Sequence, residues 1–278
     1  LLIGWNCSME VDTQSVEKNF YPQGFVFDNC SRNQLLQEKF KVLPAFKKTG
    51  TTIVGLIYKD GVIIAADQRA TTESLIVDKE TLKIHYIAPN IYCCGAGTAA
   101  DADEITNLVS HQLALMRLQT GKQSRLAAAQ TLLSERLFQY GGNIQAALIL
   151  GGCDFDGAHL YGIWPNGSVD SLLYDTLGSG SYAAMSILEH RYKPDMEEQE
   201  ALELAADAIN AGIFNDLGSG GCPNVQIIRK NGTTDFIYEY RKQNKLEDYR
   251  KQYQRPQTLT LPKGTTEIIS EVVTRVEH

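Results

Sequence analysis

No run of apolar residues in this sequence approaches the roughly 20 needed to span a bilayer as a helix. The stretches that exist are short, such as Ala146–Leu150, which Gly151 closes at once. A protein crossing the membrane on helices is excluded on that ground. Positive charge is also in deficit: 26 Lys and Arg stand against 33 Asp and Glu, a net charge of −7. With no global surplus of cations to neutralise phosphates, a general nucleic-acid binder is excluded. Cysteine is sparse, with six residues at 7, 30, 93, 94, 153 and 222. None falls at zinc-finger spacing with another Cys or His, and Cys93-Cys94 is an adjacent pair inside an apolar segment. These read as buried, reduced thiols rather than a disulfide framework or a metal site. The opening Leu1–Asn6 lacks a basic start and a long apolar core, so it does not read as a secretory signal.

What is present is a globular composition of 278 residues, 43% hydrophobic and 21% charged, enough for one large domain or two small ones. Residues 1–50 differ from the rest. They are rich in Asn, Gln, Asp and Lys, carry isolated aromatics at Trp5, Phe20, Tyr21, Phe25 and Phe27, and keep no helical or strand period. They read as a loosely ordered leader. From Thr51 the texture changes. Thr52–Tyr58 and Val62–Ala66 are β-rich runs about an Asp60-Gly61 turn. A second pair, Lys83–Ile87 and Ile91–Cys94, turns at Pro89-Asn90 and ends in Gly95–Gly97. Helical spacing of Ile105, Leu108, Val109, Leu113 and Met116 predicts a helix over 98–118, and Ser124 is expected to cap a second through Tyr140. Strands are expected at 146–151, 159–164 and 168–173. Gly178–Ser181 is expected to start a third helix, running to about His190, and a fourth, capped by Asp195, runs from Met196 to about Phe214. A hairpin closes the pattern at 225–229 and 235–240. Strands, two helices, strands, two helices, strands is the order of an α+β protein. Hairpin-linked strands give two antiparallel sheets, and paired helices cover each, which predicts a four-layer α-β-β-α sandwich. Beyond Tyr240, residues 241–278 are polar and basic at first, then extended around Pro256 and Pro262, with Ile268, Ile269, Val272 and Val273 needing cover. They read as an arm packed on another subunit.

The junction Gly50-Thr51 carries the sharpest chemical suggestion. Cut there, Thr51 gains a free amine beside its own hydroxyl, and a hydroxyl nucleophile needs such a base. Gly50 would let a neighbouring hydroxyl reach its carbonyl. Asp67 breaks an apolar strand abruptly and Lys83 opens the next. If both lie near Thr51, the Lys83 charge lowers the pKa values of hydroxyl and amine, and Asp67 holds Lys83 charged. Gly97, between strand and helix, offers an N–H for an oxyanion. Gly178–Ser181 lacks the Gly-Lys-Ser/Thr of a phosphate loop. The five histidines show no triad pattern, and His85 reads as a core or interface residue.

The segments Thr51–Gly55, Lys59–Gly61, Ala65–Thr71, Lys83–His85, Ile91–Ala100, Gly178–Ser181 and Asn215–Ser219 together resemble a catalytic β subunit of the eukaryotic 20S proteasome, of the trypsin-like type, from 51 to about 275. The resemblance implies the N-terminal nucleophile hydrolase fold, with 1–50 a propeptide, 51–240 the catalytic domain and 241–278 an assembly arm. It implies Thr51 as nucleophile after self-cleavage, Asp67 and Lys83 as its electrostatic partners, and Gly97 as oxyanion donor. Ser179, Asp216 and Ser219 would orient the amine and a water. For substrate binding it implies a pocket left deep by Gly95, bordered by Ala99, with Asp103 as the carboxylate for a basic P1 side chain and Asp78 as a second acid. Thr72 stands where many relatives carry an acid. The implied partners are other α and β subunits in stacked heptameric rings, assembly chaperones and unfolded, ubiquitin-targeted polypeptides, in cytoplasm and nucleus, with no cofactor and no metal. A noncatalytic β subunit and a self-processing amidohydrolase are the alternatives.

Overall fold

The structure, a computed structural model, describes residues 49–72 and 75–241, together with Arg32 and Leu35, which are helical. A helical element in the leader was not expected from its aperiodic sequence. Apart from these two and Thr49-Gly50, the 1–50 leader lies outside the described residues, as do 242–278 of the arm and Cys7 and Cys30.

Two five-stranded sheets form the centre. One has the order β10-β1-β2-β11-β12, from β1 (Thr52–Tyr58), β2 (Gly61–Ala66), β10 (Tyr174–Gly178), β11 (Asn224–Arg229) and β12 (Thr234–Ile237). The other has the order β5-β6-β7-β8-β9, from β5 (Ile84–Ala88), β6 (Ile91–Gly97), β7 (Ala146–Asp154), β8 (Gly157–Ile163) and β9 (Val169–Ser171). A small hairpin of β3 (Ala70–Thr72) and β4 (Leu75–Asp78) stands apart. All described pairings are antiparallel. Strands read as near-continuous apolar runs because both their faces are covered: all six residues of β2 are buried.

Three apolar layers follow. Ile53, Val62, Ile64, Cys94, Ile149, Leu160 and Leu177 fill the space between the sheets. Helices α1 (Ala99–Thr120) and α2 (Leu126–Gln139) cover the second sheet through Ile105, Val109, Leu113, Leu133 and Leu137. Helices α3 (Ser181–Arg191) and α4 (Glu198–Asn215) cover the first through Ala184, Leu188, Leu204, Ala205 and Ile209. This is the expected four-layer α-β-β-α sandwich. Among the described residues no helix is long and apolar enough to cross a membrane, and Cys93, Cys94, Cys153 and Cys222 are buried.

Several boundaries differ from the sequence reading, each for a local reason. Helix α1 runs on to Thr120, ended by Gly121 at φ 65, whose N–H donates to Arg117 O; glycine adopts that left-handed conformation without strain. Ser124 does not cap α2. Its carbonyl accepts from Asn90 Nδ2 and its hydroxyl from Arg117 Nη1, while the α2 N-terminus is satisfied from strand β7 by Asp154 Oδ2, 3.1 Å from Leu126 N. Asp195 does not cap α4 either: it sits at φ 58 outside the helix, and the N-cap position is Glu197. The single strand expected over 168–173 resolves into β9 in one sheet and β10, which begins three residues after β9 ends, in the other. Polar Ser168, Asp170 and Ser171 make β9 a short edge strand, and Asp175–Leu177 is the buried part.

Candidate active site

Strand β1 begins at the nucleophile candidate. Pairing of Thr52 with Gly178 on one side and of Ile53 with Ala66 on the other sets Thr51 between the end of β2 and the start of α3. Asp67, wholly buried just past β2, is the centre of a hydrogen-bond cluster. Its Oδ1 accepts from Thr52 N at 3.0 Å and Lys83 Nζ at 2.7 Å. Its Oδ2 accepts from Arg69 N and Gly220 N, each at 3.1 Å. Lys83 Nζ also donates to Thr51 Oγ1 at 3.0 Å. Burial pushes the Asp67 carboxyl up, against the pull of Lys83. It pushes the Lys83 ammonium down, against the pull of Asp67. Both shifts narrow the gap between the two groups, so the neutral form of Lys83, which alone can accept a proton, is reached more easily than in an ordinary lysine.

The far side of Thr51 is polar in a different way. Thr51 N donates to Ser179 Oγ at 3.0 Å, and Ser179 Oγ donates to Asp216 Oδ2 at 2.5 Å. Ser219 Oγ donates to the same carboxylate oxygen at 2.7 Å and lies 2.6 Å from Thr52 Oγ1. Partial burial opposes ionisation of Asp216, but the hydrogen bonds from Ser179, Ser219 and Gly218 N hold its carboxyl below the usual range. The Thr51 nitrogen therefore rests in an acceptor pocket backed by a negative charge, suited to a protonated amine.

With the leader attached, the peptide bond before Thr51 is buried with it. Thr51 Oγ1 donates to Gly50 O at 2.6 Å. Gly50 N donates to Thr71 Oγ1 at 2.8 Å, and Thr49 Oγ1 donates to Gly97 O at 2.7 Å. A Cβ on Gly50 would stand 2.1 Å from Gly218 Cα, so the backbone of the 216–220 loop excludes any side chain at 50. Gly97 meets the leader through its carbonyl, at the last position of β6 and one residue short of the Thr98 N-cap.

The expected specificity residues separate. Gly95 on β6, Ala102 and Asp103 on α1, and His85 on β5 come together, while Ala99, expected to border the pocket, is the first residue of α1. A Cβ on Gly95 would lie 2.9 Å from Ala102 Cβ and 3.3 Å from His85 Nε2, and His85 Nδ1 lies 3.4 Å from Asp103 Oδ1. Burial lowers the His85 pKa, with Asp103 opposing. Asp103 is 59% exposed at its side chain. Asp78 is engaged in its own turn, accepting from Glu80 N and Thr81 Oγ1. The sequence reading missed Thr49, Thr52 and Thr71 as site residues, and gave His85 no part in the pocket. Threonines in β-rich sequence carry no signal that separates a functional hydroxyl from strand propensity.

Comparison with known proteins gives the family. The family model for the proteasome subunit matches residues 47–228. Among curated relatives, a protein named proteasome subunit beta type-7-B from Arabidopsis thaliana is 53% identical over 221 residues, 80% of each chain. A probable proteasome subunit beta type-2 from Schizosaccharomyces pombe is 45% identical over 249 residues, 90% of this chain and 91% of that one. A proteasome subunit beta type-10 from Bos taurus is 43% identical over 253 residues, 90% of each. The chain described here, with its buried Thr51 at the head of an α-β-β-α sandwich, belongs to the proteasome β-subunit family.

Proposed function

We propose that this chain is a threonine endopeptidase of the 20S core, activated by its own cleavage at Gly50–Thr51 and selective for basic residues at P1. The observation that carries this reading is one contact set: Lys83 Nζ is shared between Thr51 Oγ1 and Asp67, and Thr51 Oγ1 touches the Gly50 carbonyl. In the first step the Thr51 oxygen attacks the Gly50 carbonyl carbon. The hydroxyl proton passes by way of Lys83 to the Thr51 nitrogen, the C–N bond breaks, and the leader is left as an ester on Oγ1. Water hydrolyses that ester, releasing the Gly50 carboxyl and a free Thr51 amine. The same oxygen then attacks a substrate carbonyl, with the amine, held by Ser179 and Asp216, as local base. The Gly97 N–H at the end of β6 serves the oxyanion.

Gly95 leaves room beside His85, and Asp103 supplies the carboxylate for Lys or Arg. A carboxylate this exposed contributes less than a buried one because water screens it. The substrates are unfolded, ubiquitin-targeted polypeptides. The particle is a stack of heptameric rings in cytoplasm and nucleus, built with assembly chaperones, and 241–278 is an arm on a neighbouring subunit. The decisive experiment is mass determination of the chain from assembled particles. Mature chain beginning at Thr51 is expected, and Thr51→Ala should retain residues 1–50 and give no hydrolysis of Arg-P1 peptides. Self-removal of the leader in the Thr51→Ala chain, in a particle whose other subunits are inactivated, would refute the mechanism.

A further inference from the structure

The loop 220–222 that supplies an N–H to Asp67 is itself held by one side chain that the mechanism does not use. Gln68, next to Asp67 and 1% exposed, has both ends of its amide engaged. Its Nε2 donates to Asn224 Oδ1 at 3.0 Å, and its Oε1 accepts from Cys222 N at 3.0 Å. Its backbone N donates to Gly220 O at 3.0 Å and its backbone O accepts from Thr81 N at 2.9 Å. Gly221, at φ +82, lies over it so closely that a Cβ there would be 2.8 Å from Gln68 Cβ and Oε1. Asn224 Oδ1 in turn accepts from Glu239 N at 3.1 Å. Gln68 thus fastens the loop at the Gly220 carbonyl and at Cys222 N, and the Gly220 N–H is one of four donors to the Asp67 carboxylate.

We infer that Gln68 is a positioning residue for peptide hydrolysis: by clamping 220–222 it keeps the Gly220 N–H on Asp67 and so keeps Asp67 paired with Lys83. The inference rests on the proposed function of Thr51, and its consequence has a definite sign. The charged groups facing the Asp67–Lys83 pair are Arg69 and Asp216, joined after leader removal by the Thr51 amine. A carboxylate that loses an N–H donor is harder to ionise. Releasing Gly220 therefore moves protonation of Asp67 to higher pH, where it adds to the acid limb that protonation of the Thr51 amine sets.

The test uses assembled particles carrying Gln68→Met, which keeps length and loses both amide bonds, or Gln68→Glu. The glutamate keeps an acceptor for Cys222 N and sets a second carboxylate beside Asp67. For Arg-P1 peptide hydrolysis by Gln68→Met, kcat is expected to fall about tenfold with KM changed less than about twofold. In both variants the acid limb should rise by about half a pH unit or more. An acid limb that stays in place in either assembled variant overturns the assignment, whatever happens to kcat. In the unmodified particle the Gly220 and Cys222 amides are expected to exchange hydrogen as slowly as those of β2. Fast exchange there overturns the clamp without any substitution, and slow exchange supports it even where a variant fails to assemble. Failure of the underlying reading looks different: Arg-P1 hydrolysis would survive Thr51→Ala.

Discussion

Single side chains decide the chemistry of this chain because so few atoms separate the reacting groups. Gly50 is the sharpest case. Its absent Cβ is demanded by Gly218 Cα, which would stand 2.1 Å away, a distance no small rotation relieves. Gly50→Ala should therefore push the scissile carbonyl off Thr51 Oγ1 and slow leader removal at least about tenfold, a loss expected for misplacing a reacting group. The ratio of precursor to mature chain in assembled particles measures it. Lys83 and Asp67 give a pH prediction. Burial raises Asp67 in the folded state, and a raised carboxyl loses stability as pH rises through its folded pKa. Lys83→Met removes the opposing charge and raises Asp67 further. The variant should melt closer to wild type at pH 5 than at pH 8, read by thermal unfolding at both. Asp103 is the specificity test. At 59% exposure its loss in Asp103→Asn should shift the ratio of Arg to Leu P1 cleavage by only about 1 kcal/mol, roughly fivefold. An unchanged ratio removes it from the pocket.

At the scale of elements, helix ends are fixed by whichever group reaches them in space. Asp154, on β7, caps α2 by accepting from Leu126 N and also closes its own turn at Asp156 N. Asp154→Ala should cost about 1–2 kcal/mol, the ordinary value for losing a cap, and lower the melting temperature of the precursor chain by several degrees. Ser124→Ala should cost less, because the Ser124 carbonyl, not its hydroxyl, holds Asn90. Equal losses in the two variants would contradict this assignment of the cap. Capping by proximity in sequence pointed to Ser124 and Asp195; capping by a strand end on the neighbouring element cannot be read from a linear pattern.

The molecule as a whole joins other subunits of the core particle, as its family implies. Exposed apolar side chains mark surface left over by the sandwich: Leu115 and Leu118 on α1, Leu75 and Val77 on β4, Tyr182 on α3 and Leu217 beyond α4. Residues 241–278 add Ile268, Ile269, Val272 and Val273 to the apolar groups in need of cover. Deleting 245–278 should block ring assembly, seen as loss of the particle peak in size-exclusion chromatography, while the unassembled chain keeps its circular dichroism. Normal particle yield would refute the arm.

From sequence alone came the layer order, because paired hairpins and paired helices leave few ways to bury their apolar faces. So did the candidate nucleophile, Thr51, because a polar leader meets a buried strand at Gly50-Thr51. Asp67 and Lys83 stood out as charges at the ends of apolar strands, and the names of Ser179, Asp216 and Ser219 rested on resemblance; the hydrogen bonds among them came only with the fold. Tertiary structure alone placed β10 beside β1 instead of β8, aimed His85 at Asp103, and pressed Gly50 against Gly218. It alone closed the Gln68 amide onto Cys222 and Asn224. The physical reason is the range of the interactions. Periodicity and turn residues report which face of a segment is buried, and they act over a few neighbours. Whether a threonine hydroxyl meets a carbonyl or a solvent molecule depends on segments brought together from far along the chain, as with Thr52 and Ser219, and only packing of the two sheets sets that distance.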